Sequence, residues 1–242
     1  MKVVKLNATT STNSYLRAYT KEFDSESDIL VWTLDQQAGR GQRGASWESE
    51  PGKNLTCSVF KRVEGLPMNR SFYITMATSL AVYEALEAYG VKNLAVKWPN
   101  DILAGKSKIC GILIESVIRN GLYAVIIGVG LNINQQVFKH AQRATSLALE
   151  TGNFFELEEI IELLITKFYK YVDLITEGSF DALKHEYEDK LFRKGKASTF
   201  KSNTGQLFTG IITEVSKTGK LILQLEDELY KEFDLKELQL LY

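Results

Sequence analysis

The segment Gly39-Arg40-Gly41-Gln42-Arg43-Gly44 constrains the fold more than any other part of the chain. Three glycines and two arginines stand in six residues, with no acid among them. Glycine allows positive φ and close approach of the backbone to a ligand. Arginine offers a planar fork of donors suited to phosphate or carboxylate. The spacing matches G-x-G-x-x-G, which in a dinucleotide-binding fold follows a strand and opens a helix. The strand is there, since Asp28 to Leu34 is β-branched and apolar. The helix is not: Ala45 to Gly52 is polar, lacks a 3.6-residue period and ends in Pro51-Gly52. A doubly wound dinucleotide fold is therefore excluded. The segment reads either as a plain surface loop or as a lid over an anion. Two arginines among glycines, with Trp47 close behind, favour the lid.

Strands and helices alternate around this loop. Val3 to Leu6 reads as a short strand, and Thr10-Ser11-Thr12-Asn13 is a cluster of helix N-cap types ahead of a helix from about Ser14 to Glu22. Asn54 to Phe60 reads as a strand. Ser71 to Tyr89 is apolar nearly all round, the mark of a buried helix, with Gly90 suited to its C′ position. Leu94 to Trp98 is a strand that Pro99 ends. Ile109 to Ile118 and Leu122 to Ile133 flank Asn120-Gly121, a strong hairpin signal. Apolar residues at helical spacing predict a helix over 157–177, and a second covers 180–191. Beyond that, four short strands (196–200, 206–215, 220–225 and 229–234) predict a small β-barrel. The expected organisation is a main domain over 1–191 and a barrel over 192–242.

Composition excludes several classes of function. With 45% hydrophobic residues and 3 prolines in 242 residues, extensive disorder is ruled out. The balance of 29 basic against 30 acidic residues argues against a dedicated nucleic-acid binder. Cys57 and Cys110 fit neither a disulfide framework nor a C-x-x-C site, and read as buried thiols of a reducing compartment. No apolar run reaches the ~20 residues needed to span a bilayer, and no apolar signal segment follows Met1. The expectation is a cytoplasmic protein without membrane contact. His140 and His185 stand in surface segments, and no spacing suggests bound zinc. Chemistry here is expected to rest on cations and positioned phosphates.

Lys97-Trp98-Pro99-Asn100-Asp101 gathers a cation, an aromatic, a rigid turn, an amide and a carboxylate at a strand end. Lys108 opens the strand Lys108-Ile109-Cys110-Gly111. Two lysines there suit polyphosphate and an acidic substrate, while Asp101 suits magnesium, which takes one or two carboxylates plus phosphate oxygens. Gly105-Lys106-Ser107 looks like the tail of a P-loop, but Asn100 stands where the loop needs glycine, so it reads as a turn. Gly128-Val129-Gly130-Leu131-Asn132 ends an apolar strand, and glycine there marks either a ligand's close approach or a bulge.

In order and spacing, the Gly39–Gly44 loop with Trp47, the 97–101 string, Lys108 to Gly111 and Gly128 to Asn132 resemble the biotin protein ligases, over essentially the whole chain. The resemblance implies an α+β fold: a class II synthetase-like mixed β-sheet with flanking helices, plus a small C-terminal SH3-like β-barrel. It implies that biotin and ATP give biotinyl-AMP, with Mg2+ accompanying ATP, and that a lysine of a biotin carboxyl carrier domain then takes the biotin. Ser11, Thr12, Asn13 and Gln36 would bond the ureido ring, with Gly39, Gly41 and Gln42 also at the biotin site. Arg40 and Lys108 would be catalytic, Arg40 on carboxylate and phosphate and Lys108 bridging the two. Gly111 and Gly128 would leave room for the rings. Arg43, Trp47, Lys97, Asn100, Asp101 and Asn132 would face the nucleotide, with Asp101 helping to hold Mg2+. Family members often dimerise, and a homodimer is compatible with the resemblance. Bifunctional ligase-repressors carry arginine where Gln42 and Ala45 stand, so direct phosphate contact by these two positions is not carried over; no helix-turn-helix segment precedes Met1, so no DNA partner is expected. The alternatives are a lipoate or octanoate ligase on the same fold and a non-catalytic biotin or nucleotide sensor.

Overall fold

The strand that leads into the glycine loop is apolar without alternation because both faces of its sheet are covered. A computed structural model describes residues 1–22 and 27–242, with every side chain among them except those of Arg43 and Asp227. The first sheet contains β1 (Lys2–Thr9) and β2 (Ile29–Gln36), which run parallel. The short strands β3 (Gly39–Arg40) and β4 (Ser46–Trp47) pair apart from it. β5 (Leu55–Arg62), β6 (Leu94–Lys97), β7 (Asp101–Ala104), β8 (Ser107–Ile118) and β9 (Leu122–Leu131) complete seven strands in the order β1-β2-β5-β9-β8-β7-β6. Along β2, Leu30 and Trp32 enter one apolar layer while Ile29 and Val31 enter the other, as the two-residue pleat dictates.

Helix α1 (Thr12–Glu22) covers one face, placing the fully buried Leu16 against Phe60, Tyr123 and Ile126. Burial of a leucine of this kind is worth about 1.5–3 kcal/mol. The other face carries α2 (Phe72–Ala88) and, after the short α3 (Leu147–Thr151), α4 (Leu157–Thr176) and α5 (Phe180–Asp189). Leu157, Ile160, Ile161, Leu164 and Phe168 form the inward stripe of α4. α1 begins at Thr12 rather than Ser14, because the Thr12 N–H finds an acceptor in Gln36 Oε1 at 2.9 Å. The β8–β9 hairpin turns through Asn120 and Gly121 with φ of 52° and 125°, as the sequence predicts.

A second, five-stranded antiparallel sheet follows, of the SH3-like kind. It contains β10 (Ala197–Ser202), β11 (Leu207–Val215), β12 (Leu221–Gln224), β13 (Tyr230–Phe233) and β14 (Leu238–Leu241), in the order β13-β12-β11-β10-β14. The sequence announces four of these. β14 is missed because it is four residues long, without a turn signal, and is ordered by pairing with β10.

The two sheets meet at Trp98. Its indole N–H donates to the Gly219 carbonyl at 2.9 Å. Gly219 has φ +91°, and a Cβ there would stand 2.3 Å from Phe72 Cγ. The Val215 N–H donates to Glu188 at 2.7 Å. Among the described residues, no helix is long and apolar enough to cross a membrane.

Candidate active site

The start of α1, the end of β2 and the glycines of β8 and β9 surround one pocket. Its head is built from neutral polar groups. Ser11 caps α1, its carbonyl accepting the Tyr15 N–H at 2.9 Å. The Thr12 N–H and hydroxyl both face Gln36 Oε1, at 2.9 and 3.2 Å. Ser58 Oγ lies 2.6 Å from both Thr12 Oγ1 and Asn13 Oδ1. Asn13 Nδ2 donates to Glu115 at 2.8 Å. The folded chain thus fixes the orientation of these buried groups before any ligand enters.

The floor needs glycine for space rather than for φ. A Cβ at Gly128 would stand 2.5 Å from Asn13 Oδ1, and one at Gly130 would stand 2.5 Å from the Trp47 ring. At Gly111 it would stand 2.9 Å from Trp47 and 3.0 Å from Lys108 Nζ. Pairing of β8 with β9 runs in regular register through all three positions and shifts elsewhere, at Val117/Ile118. That removes the bulge reading and leaves close approach. Behind the floor, Cys57 and Cys110 are buried. Burial pushes the Cys57 thiol up to about 12, and burial raises Cys110 as well. Both are therefore unreactive.

Cations gather at the mouth around one acid. Lys108 Nζ lies 2.7 Å from Asp101 Oδ1 and 5.3 Å from the centre of the Trp47 ring. Lys97 Nζ lies 3.7 Å from Asp101 Oδ2 and 5.1 Å from the Tyr242 ring, beside the pocket rather than in its lining. Both carboxylate oxygens of Asp101 are thus engaged by ammonium groups. Among the described residues, no three acid, histidine or cysteine groups are placed to hold a metal. Asp101 is the counter-ion of the two lysines here.

Two asparagines brace the mouth. Asn100 Nδ2 donates to the Ile112 carbonyl at 2.6 Å, tying the 98–101 turn to β8. Asn132 Nδ2 donates to the Thr145 carbonyl at 2.9 Å, and the Thr145 N–H donates to the Lys108 carbonyl at 2.9 Å. Asn132 therefore steadies the backbone of Lys108. Its Oδ1 is buried with no partner among the described residues.

The glycine loop forms the roof. Its tip is a 3₁₀ turn over Gln42–Gly44, closed by the Gly41 N–H to the Ala45 carbonyl at 2.6 Å. Gly39 lies beneath Trp47, where a Cβ would meet the Trp47 carbonyl at 2.7 Å. Arg40 donates to Ser14 Oγ at 2.9 Å and lies 3.9 Å from Glu115. The Arg43 side chain lies outside the described residues. Toward β5, Glu48 accepts the N–H groups of Lys139 and His140, both at 2.8 Å. Burial alone would raise the Glu48 carboxyl, but these two amides outweigh it and hold it below its ordinary value. Roof and Trp47 leave a cavity of about 50 Å³. Sites for small molecules hold roughly 300 Å³ or more, and a second space of about 460 Å³ shares the Arg40, Gly41 and Gln42 lining.

Sequence reasoning missed Ser58 and Glu115. Glu115 left a signal, a lone acid within the apolar strand Ile112–Ile118. Ser58 left none, because its importance comes from neighbours on another strand and a helix.

The chain belongs to the biotin/lipoate A/B protein ligase family, which it matches over residues 6–132. It is 30% identical over 204 residues to the biotin--[acetyl-CoA-carboxylase] ligase of Paracoccus denitrificans, covering 80% of this chain and 84% of that one. It is 30% identical over 208 residues to the bifunctional ligase/repressor BirA of Bacillus spizizenii, but spans only 63% of that protein's length. The biotin protein ligase from Aquifex aeolicus, solved in complex with biotin and ATP, superposes with a TM-score of 0.82 over 99% of this chain and 98% of that one, at 24% identity.

Proposed function

We propose that the chain is an ATP-dependent ligase that activates biotin as biotinyl-AMP and passes it to a lysine of a biotin carboxyl carrier domain. The observation that carries this reading is the polarity of the pocket from end to end. Thr12, Asn13, Gln36 and Ser58 make a neutral hydrogen-bonding head, while Lys108 supplies a cation at the mouth and Arg40 one in the roof. The matching ligand has an uncharged polar ring, an apolar tail and a carboxylate, and biotin has this form. A dithiolane or alkyl head, as in lipoate or octanoate, would leave the remaining hydrogen-bonding capacity of these head groups unused. Sites built to bond a polar group reject analogues lacking it by about 10⁴–10⁵.

The same residues suit the chemistry. Bringing a carboxylate to a triphosphate opposes two anions, so positive charge must be in place beforehand, and positioning with electrostatics supplies the catalysis. Lys108 is held for this by Asp101 and exchanges that partner for the substrate anions. A carboxylate oxygen bonds to the α-phosphorus as the bond to pyrophosphate breaks. In the second step the carrier amine bonds to the acyl carbon, loses its proton, and AMP leaves. Arg40 and Arg43 stabilise phosphate from the roof, Lys97 serves the nucleotide, and Asn100 and Asn132 hold the mouth in shape. Trp47 walls the acyl tail, with Ser11, Gly41 and Gln42 completing the lining. Magnesium arrives on the phosphates of ATP as part of the substrate. The reaction belongs in the cytoplasm, where ATP and carboxylases meet.

Incubation with ATP, magnesium, biotin and an apo carrier domain should label the carrier with biotin. Transfer of lipoate in place of biotin would contradict the proposal. So would failure to release pyrophosphate, the outcome expected of a sensor.

A further inference from the structure

We propose that Glu115 is a positioning residue that joins the head of the pocket to its roof. It fixes the Asn13 amide for the ligand, and it is the anion that Arg40 leaves when the substrate's own anion arrives. This rests on reading the pocket as a site for biotin and its adenylate.

Glu115 lies on β8, on the same side of the strand as Gly111 and Leu113. Its carboxylate faces three groups. Oε1 lies 3.3 Å from Arg17, while Oε2 accepts from Asn13 Nδ2 at 2.8 Å and lies 3.9 Å from Arg40. An amide can present either its oxygen or its nitrogen, whereas a carboxylate only accepts. Glu115 therefore decides which way Asn13 points. The nitrogen is taken, also lying 3.4 Å from the Leu113 carbonyl, and Oδ1 turns toward Ser58 and Gly128. Oδ1 is then the acceptor offered to a ligand N–H.

Arg40 is the partner free to leave. Its side chain is 50% exposed, its contact is the longest of the three, and Ser14 is its other anchor. Ion pairs this open are weak. Its departure leaves the carboxylate with Arg17 on one oxygen and Asn13 on the other, so no charge is stranded. An acyl phosphate beneath the roof offers Arg40 a bidentate partner. Glu115 thus holds the head rigid while keeping Arg40 on call.

Two variants of the full chain separate these tasks. Glu115→Gln keeps an acceptor for Asn13 and removes the charge; Glu115→Ala removes both. In calorimetric titration, Glu115→Ala should bind biotin about tenfold more weakly or worse, as for loss of a hydrogen bond to a charged group. Glu115→Gln should stay within about threefold on the same scale. Preformed biotinyl-AMP should leave Glu115→Gln about two- to fivefold more slowly than wild type, because Arg40 has lost a competing anion. Wild-type biotin affinity in Glu115→Ala overturns the proposal, and so does a wild-type adenylate release rate in Glu115→Gln. Equal loss of biotin in both variants, with lowered melting temperatures, would make Glu115 merely structural and also overturn it. Wild type runs alongside. If it forms no biotinyl-AMP, the functional reading fails and this inference falls with it. If it does and the variants match it, Glu115 alone is ruled out.

Discussion

Among the described residues, the Lys108 ammonium has the Asp101 carboxylate and the face of Trp47 as partners at rest. Neither is as strong as a desolvated phosphate would be, so the side chain is held in position without being consumed. Lys108→Ala should slow adenylation by about 10²–10³, the usual cost of removing one preorganised charge or donor. The fold should survive, since the side chain is 34% exposed. Near wild-type adenylation would remove Lys108 from the mechanism. Gly128→Ala tests the head instead. Its Cβ would meet Asn13 Oδ1 at 2.5 Å, so KM for biotin should rise at least tenfold (about 1.4 kcal/mol) with KM for ATP unchanged. An equal rise in both would contradict the separation of head and mouth. At this scale the sequence shows the glycines and lysines, because their chemistry is their own. It hides Ser58, whose hydroxyl matters only because β5 passes beneath α1.

The helices behind the sheet are tied through Glu84 of α2, which takes Lys167 at 2.5 Å and Lys170 at 2.7 Å from α4. Burial would raise its carboxyl, but these lysines and Tyr171 outweigh burial and hold it at about 2. Its contribution to stability is therefore full above the ordinary value of 4.5 and lost as pH falls toward 2. Glu84→Gln should cost about 1 kcal/mol or less near neutral pH, and the difference from wild type should shrink below 4.5. Denaturant unfolding at several pH values measures this, and a gap that stays constant into acid would contradict it. The roof is the opposite kind of element, with few bonds at its tip among the described residues and Glu48 fixed to 139–140 at its β5 end. Protease should nick 41–45 more slowly once biotin and ATP are present; equal rates would rule out a moving roof. Long periodic elements and the Asn120-Gly121 hairpin are legible in the sequence. β7, α3 and β14, at four or five residues each, are not, because they are ordered by neighbours rather than by their own pattern.

Across the whole molecule, the 97–101 string serves two masters. Trp98 holds the second sheet through Gly219, while Asp101 holds Lys97 and Lys108. The aromatic in that string looks like ligand chemistry in the sequence, yet it is a docking post. We propose the division into units over 1–191 and 192–242 on this basis, with the second unit shaping the nucleotide end of the site. Gly219→Val would set a branched side chain at φ +91° against Phe72, a conformation costing on the order of 1–3 kcal/mol before any clash. It should weaken ATP binding while sparing biotin, and loss of biotin alone would contradict this coupling. The most direct measurement is biotin-dependent exchange of labelled pyrophosphate into ATP. Wild type should exchange with biotin and not with lipoate, and Lys108→Ala should exchange with biotin about 10²–10³-fold more slowly. Exchange supported by lipoate, or none with biotin, would contradict the function proposed for this chain.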